Sequence, residues 1–96
     1  MIYELAFLDE ALKEWRKLDN ATREQFKARL AERLQNPKIP SARLHRAKER
    51  YKIKWRNAGY RLVYQVKDRE LLVVVVAAGK RERNEVYKAA GRRRTD

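Results

Sequence analysis

The residues able to do chemistry in this chain are lysines, arginines and a tyrosine, and they fall in two places. The first is Tyr51 to Val66, YKIKWRNAGYRLVYQV, where apolar and cationic residues alternate. Read as a strand, it puts Tyr51, Ile53 and Trp55 on one face and Lys52, Lys54 and Arg56 on the other. The second is the run from Lys80, in which Arg81, Arg83 and Tyr87 follow. Lys and Arg bind phosphate oxygens, and a tyrosine ring beside them can stack on an unpaired base. Such a set can also cut RNA without a metal, because the neighbouring 2′-hydroxyl of the RNA is the nucleophile. Cations then stabilise the extra negative charge of the phosphorane-like transition state. A lysine crowded by other cations has a lowered pKa, which suits proton transfer near neutrality. DNA would be bound and left intact.

Composition narrows the partner. The chain has 25 Lys and Arg against 13 Asp and Glu, a net charge of +12 on 96 residues. That favours a polyanion, nucleic acid first and an acidic protein second. Seven cations lie between Arg43 and Arg56 (43, 46, 48, 50, 52, 54, 56) against Glu49 alone, and seven more between Lys80 and Arg94 (80, 81, 83, 88, 92, 93, 94) against Glu82 and Glu85. From these segments Arg43, Arg46, Lys48, Arg50, Arg56, Lys80 and Arg83 are the candidates for holding RNA around the reacting residues. The plainer alternative is an ordinary solvated surface, but opposite charges are not interspersed as such a surface requires.

Other chemistries find little support. There is no Cys and a single His, His45, so zinc or haem would need an unusual ligand set, and no metal or cofactor is expected. His45 lies in a polar loop, with no orienting carboxylate nearby in sequence, and is expected to be solvated. Asp9, Glu10, Glu14, Glu24 and Glu32 fall on helices away from the cationic face, which argues against a two-metal nuclease or a two-carboxylate hydrolase. No Gly-rich phosphate loop or nucleophile elbow occurs. The N-terminus lacks signal-peptide features, and the longest apolar run, Leu71 to Ala78, is far short of a span of about 20 residues. A cytoplasmic protein without a membrane segment is expected.

The elements that must position these residues follow from pattern. Residues 2 to 7 read as a strand. Asp9 can cap a helix to about Leu18 with Ala11, Leu12, Trp15 and Leu18 on one stripe, and Asn20 a second with Phe26, Leu30 and Leu34, stopped at Asn36-Pro37. Residues 37 to 49 read as a loop. A tight loop on Ala58-Gly59, with Asn57 opposite Tyr60, pairs odd with even positions, stacks the apolar rows and brings Arg61 onto the face of Lys52 and Lys54. After a turn at Asp68 to Glu70, LLVVVVAA is a strand apolar on both faces, broken by Gly79. A short helix from about Glu82 would set Arg83 and Tyr87 on one face, four residues apart. The prediction is one α+β domain over residues 1–90: an N-terminal strand and a helical hairpin on a mainly antiparallel four-stranded sheet, with a short C-terminal helix and the opposite face left for function. Residues 91–96, GRRRTD, are expected to be a disordered basic tail.

The chain resembles the RelE toxins of bacterial type II toxin–antitoxin pairs over nearly its whole length, from LDEALKEWRKL through YKIKWRNAGYRLVYQV to GKRERNEVY. The resemblance implies a ribosome-dependent endoribonuclease that enters the A site of the 70S ribosome, cleaves mRNA within the codon and leaves a cyclic phosphate and a free 5′-hydroxyl. It also implies an acidic RelB-like antitoxin that wraps and neutralises the toxin. The family's site set carries over to Lys52, Lys54, Arg61, Arg81 and Tyr87. By resemblance, Arg61 and Arg81 hold the scissile phosphate, the two lysines manage protons and charge, and Tyr87 stacks on or orients the substrate. Where family members often carry Leu-Arg-Gly before the hairpin, this chain has Leu44-His45-Arg46. The ParE-like sister branch, which targets DNA gyrase, lacks this residue set. An alternative of another class is a non-catalytic RNA- or ribosome-binding module using the same basic face.

Overall fold

The computed structural model describes residues 2–45, 47–55 and 59–95. Its elements are β1 (Glu4–Phe7), α1 (Asp9–Lys17), α2 (Asn20–Gln35), β2 (Arg50–Trp55), β3 (Tyr60–Lys67), β4 (Leu72–Lys80) and α3 (Glu85–Gly91), with single 3-10 turns at Pro40–Ala42, Asp68–Glu70 and Glu82–Asn84. The sheet order is β1-β4-β3-β2, with β1 parallel to β4 and the other pairs antiparallel. This is the expected α+β architecture, and β4 is central, as a strand apolar on both faces must be.

The apolar stripes of α1 and α2 cover one face of the sheet. Ala11, Leu18, Phe26 and Leu30 are buried there with Tyr51, Ile53, Leu62, Tyr64, Val73 and Val75. Trp15 packs edge-on against Phe7, with ring centroids 5.4 Å apart. Two helix starts differ from expectation by one residue. Leu8 occupies the cap position of α1, placing Asp9 in its first turn, and α2 is capped by Asp19, whose carboxylate accepts the Thr22 N–H. Both acids still lie where the positive end of the helix dipole favours them.

The hairpin keeps the predicted parity but shifts by two residues. Trp55 pairs with Tyr60, Lys54 with Arg61 and Lys52 with Val63, so the connection spans residues 56–59 and is longer than a two-residue turn. A shift of two preserves every side-chain face, so Arg61 joins Lys52 and Lys54 as the apolar pattern requires. Arg56 and the expected placement of Asn57 lie outside the described residues.

Gly79 does not end β4, which runs on through Lys80. The strand instead contains a bulge: Val63 pairs with Ala77 and Tyr64 with Val75, leaving Val76 as the extra residue. Val76 and Ala77 therefore both turn to the face opposite α1 and α2, where Val63, Val86 and Ala90 bury them. That face is not left open, because α3 covers part of it.

The C-terminal segment is also docked. Arg93 binds Glu14 through both guanidinium nitrogens, at 2.7 and 2.9 Å, and donates to the Val76 carbonyl at 2.9 Å. Glu14 in turn accepts the Ala78 N–H at 3.1 Å. The pair thus satisfies β4 backbone groups at the bulge, beyond the point where β1 ends opposite Val75. Arg93, which composition assigns to a loose tail, is a strut between α1, β4 and the end of α3.

Candidate functional site

The cleft lies on the α3 side of the sheet, in the area that helix leaves uncovered, and measures about 530 Å³. Lys52 and Lys54 reach it from β2, Arg61 from β3, Arg81 from the end of β4 and Tyr87 from α3. Chain parity delivers the first three. The fourth depends on the bulge. Without Val76 as an extra residue, the odd positions of β4 would continue on the face of Val73 and Val75. With it, Gly79 comes opposite Arg61, and Arg81, two residues further on, enters the same cleft.

No carboxylate lines the cleft among the described residues. Lys52 is half-buried, and its pKa is lowered, first by burial and then by the charges of Lys54, Arg61 and Arg81. Arg61 donates from Nη1 to the Tyr60 carbonyl at 2.8 Å, while its Nε is buried without a partner among the described residues. A buried, unpaired guanidinium N–H is costly, so Arg61 is held in the cleft wall with one donor unspent. The backbone N–H of Arg81 donates to the Gly59 carbonyl at 2.8 Å, fixing the start of the Arg81 segment against the hairpin loop. Tyr87 is half-buried against the Val63, Val76 and Ala77 cluster, so its ring has an apolar wall behind it and the cleft in front.

The outer candidates divide into three groups. Lys80 and Arg83 line an adjoining cleft that shares Arg61 and Arg81 with the first, while Arg43 and Lys48 line another that shares Leu44, His45 and Ala47. Arg50 lines the main cleft but is committed to the fold: its guanidinium donates to Gln65 Oε1 at 2.8 Å, the Ala90 carbonyl at 2.5 Å and the Arg93 carbonyl at 2.6 Å. It anchors the end of the helix that carries Tyr87. Arg46 lies outside the described residues, as does Arg56. Arg83 does not share a helical face with Tyr87, because it sits in a 3-10 turn with φ of 52° and α3 begins only at Glu85. His45, expected to be only solvated, is exposed but lines the main cleft. No sequence signal marks it, since its approach depends on how the loop before β2 folds. Among the described residues no three His, Asp or Glu side chains converge as metal ligands, and no helix is long and apolar enough to cross a membrane.

A small α+β fold with a carboxylate-free cationic cleft beside a short C-terminal helix is that of the RelE/ParE toxins. A family profile described as the ParE toxin of type II toxin-antitoxin system, parDE, matches residues 5–85, and the chain belongs to this family. Within it, the chain is 53% identical over 93 residues to a RelE-like toxin protein of Escherichia coli, covering 97% of this chain and 98% of that one. It is 52% identical, with the same coverage, to the mRNA interferase toxin RelE of Escherichia coli strain K12. The R81A/R83A variant of Escherichia coli RelE in the free state superposes with a TM-score of 0.91 at 48% identity, over 99% of this chain and 100% of that one. The same variant bound to a peptide of its antitoxin RelBc gives a TM-score of 0.83 at 48% identity, with the same coverage.

Proposed function

We propose that this protein is the toxin of a type II pair and acts as a ribosome-dependent endoribonuclease, cutting mRNA in the A site by metal-free attack of the 2′-hydroxyl. The observation that carries the reading is the meeting of Lys52, Lys54, Arg61, Arg81 and Tyr87 in one cleft without a carboxylate. Its relatives' description as mRNA interferases supports it.

In this reading Lys52 takes the proton of the 2′-hydroxyl, because burial and neighbouring cations favour its neutral form. The freed oxygen attacks the adjacent phosphorus, and the bond to the 5′-oxygen breaks. That oxygen leaves with a proton from a remaining donor, Lys54 or Tyr87. Arg61 and Arg81 hold the nonbridging oxygens, where charge grows most in the transition state. Tyr87 orients the base. A RelB-like acidic antitoxin would neutralise the basic surface, as an antitoxin peptide is seen bound to the related RelE variant.

The test is incubation of the protein with translating ribosomes and with the same message free in solution. Cleavage within the A-site codon on the ribosome alone, leaving a 2′,3′-cyclic phosphate and a 5′-hydroxyl, is expected. An intact message at saturating ribosome would replace the nuclease with a non-catalytic binding module.

A further inference from the structure

Another basic cleft adjoins Lys52 and Lys54, between α2 and β2. It measures about 470 Å³ and is lined by Arg29, Arg33, Ser41, Ala42, Lys52 and Lys54. Four of these six residues are cations and none is an acid. The two lysines line both this cleft and the first, so the two adjoin at β2.

Arg33 is held in place. Its Nη1 donates to the Tyr64 hydroxyl at 2.8 Å and to the Lys52 carbonyl at 3.2 Å, and its guanidinium carbon lies 5.7 Å from the centre of the Tyr64 ring. Tyr64 is itself buried and donates to the Pro37 carbonyl at 2.6 Å. These bonds use one nitrogen of the guanidinium. Arg29 lies one helical turn earlier, exposed and without an ion pair among the described residues. Arg33 lies in the last turn of α2, where the helix dipole favours a cation, but a like charge four residues earlier weakens the helix, so the dipole does not account for Arg29. An immobilised guanidinium beside an exposed one, next to two lysines, is suited to a phosphodiester: the first loses little freedom on binding and the second can turn to the other oxygens.

We propose that the cleft between α2 and β2 is a second RNA-phosphate subsite, in which Arg29 and Arg33 grip a phosphodiester next to the one held in the first cleft. This deepens the ribonuclease reading and rests on it only for the place where the strand is met. The phosphate can come from the message beyond the cut or from ribosomal RNA, and the chemistry is the same.

The test measures association with ribosomes programmed with a message carrying 2′-deoxy nucleotides across the A-site codon, so that binding is read without cutting. Arg29→Ala should weaken association roughly tenfold at low salt, as loss of a charge-assisted phosphate contact does. It should also make the plot of log affinity against log salt shallower by about 0.7. Arg69→Ala, an exposed cation in the turn between β3 and β4, is the control and should change neither. Arg29→Ala with Arg33→Gln should add to the loss, with thermal melting to establish that Tyr64 still packs. A second message ending at the A-site codon separates the sources: the Arg29 defect shrinks if the message supplies the phosphate and persists if ribosomal RNA does. An Arg29→Ala protein indistinguishable from Arg69→Ala in affinity and in slope overturns the subsite. Should the wild type leave an unmodified message intact while the Arg29 defect remains, the nuclease reading falls and the subsite stands.

Discussion

Lys52 is the residue on which burial and charge converge. Its lowered pKa means that the neutral amine is reached at a lower pH than for a free lysine. Below that folded-state value the charged form costs stability, and the cost fades as pH rises through it. If Lys52 is the base, single-turnover cleavage rises with pH with its midpoint below the usual lysine value. Lys54→Met removes a repelling cation, so the midpoint should move to higher pH. A midpoint unmoved by this change would assign the proton transfer to another group. Arg81 is expected to act on the transition state. Arg81→Ala should cost about 2.7 to 4 kcal/mol, or roughly a hundredfold to a thousandfold in single-turnover rate. Association should stay near normal, because the many other cations still hold the ribosome. Equal losses in both would make Arg81 a binding residue only. Lys52, Lys54 and Arg61 are legible in the sequence as one group because the apolar rows fix the parity of the pairing, and any even shift of register leaves the faces unchanged. Arg83 escapes such a reading because helical spacing does not extend across a turn with positive φ at Arg83 and Asn84. Arg50 reads from sequence as one more cation, and only the fold shows its donors spent on the end of α3.

At the scale of elements, the bulge in β4 and the docking of α3 complete the cleft. The run LVVVVAAGK contains nothing that announces an extra residue at Val76, since apolar side chains suit both faces of a central strand. Resemblance can therefore place Arg81 in the site where periodicity cannot. The strut from Arg93 to Glu14 is equally invisible in the sequence: it joins residues 79 positions apart, in a tail whose composition suggests disorder. This strut makes a sharp prediction. Both side chains are mostly buried, so Arg93→Ala leaves Glu14 without its partner and should cost about 2 to 3 kcal/mol. For a domain of this size that is a fall in Tm of roughly 10 °C or more. Hydrogen exchange should quicken first at Val86 to Ala90, where α3 meets the sheet, and cleavage should fall because Tyr87 is no longer held. Unchanged exchange in α3 would mean that the apolar contacts of Val86 and Ala90 are sufficient alone.

For the whole molecule, the net charge of +12 suits both of the partners proposed for it. Ribosome association should weaken steeply with salt, since each phosphate contact releases counterions, and a flat dependence would put apolar contacts in control. Charge of this size is plain in the composition alone, and the α+β class is plain in the apolar pattern, because both survive errors of a residue or two in any boundary. What composition cannot distinguish is a protein that holds RNA from one that cuts it. The cleft in which Lys52, Lys54, Arg61, Arg81 and Tyr87 meet, without an acid among the described residues, favours the proposal of cutting, with the substrate's own 2′-hydroxyl as nucleophile. The most direct measurement is single-turnover cleavage on ribosomes carrying either an all-ribose message or one with a single 2′-deoxy nucleotide on the 5′ side of the scissile bond. Association should be the same for both, with the ribose message cut and the deoxy message intact at that bond. Cutting of the deoxy message there would show that water attacks, contradicting a site that relies on its substrate for the nucleophile.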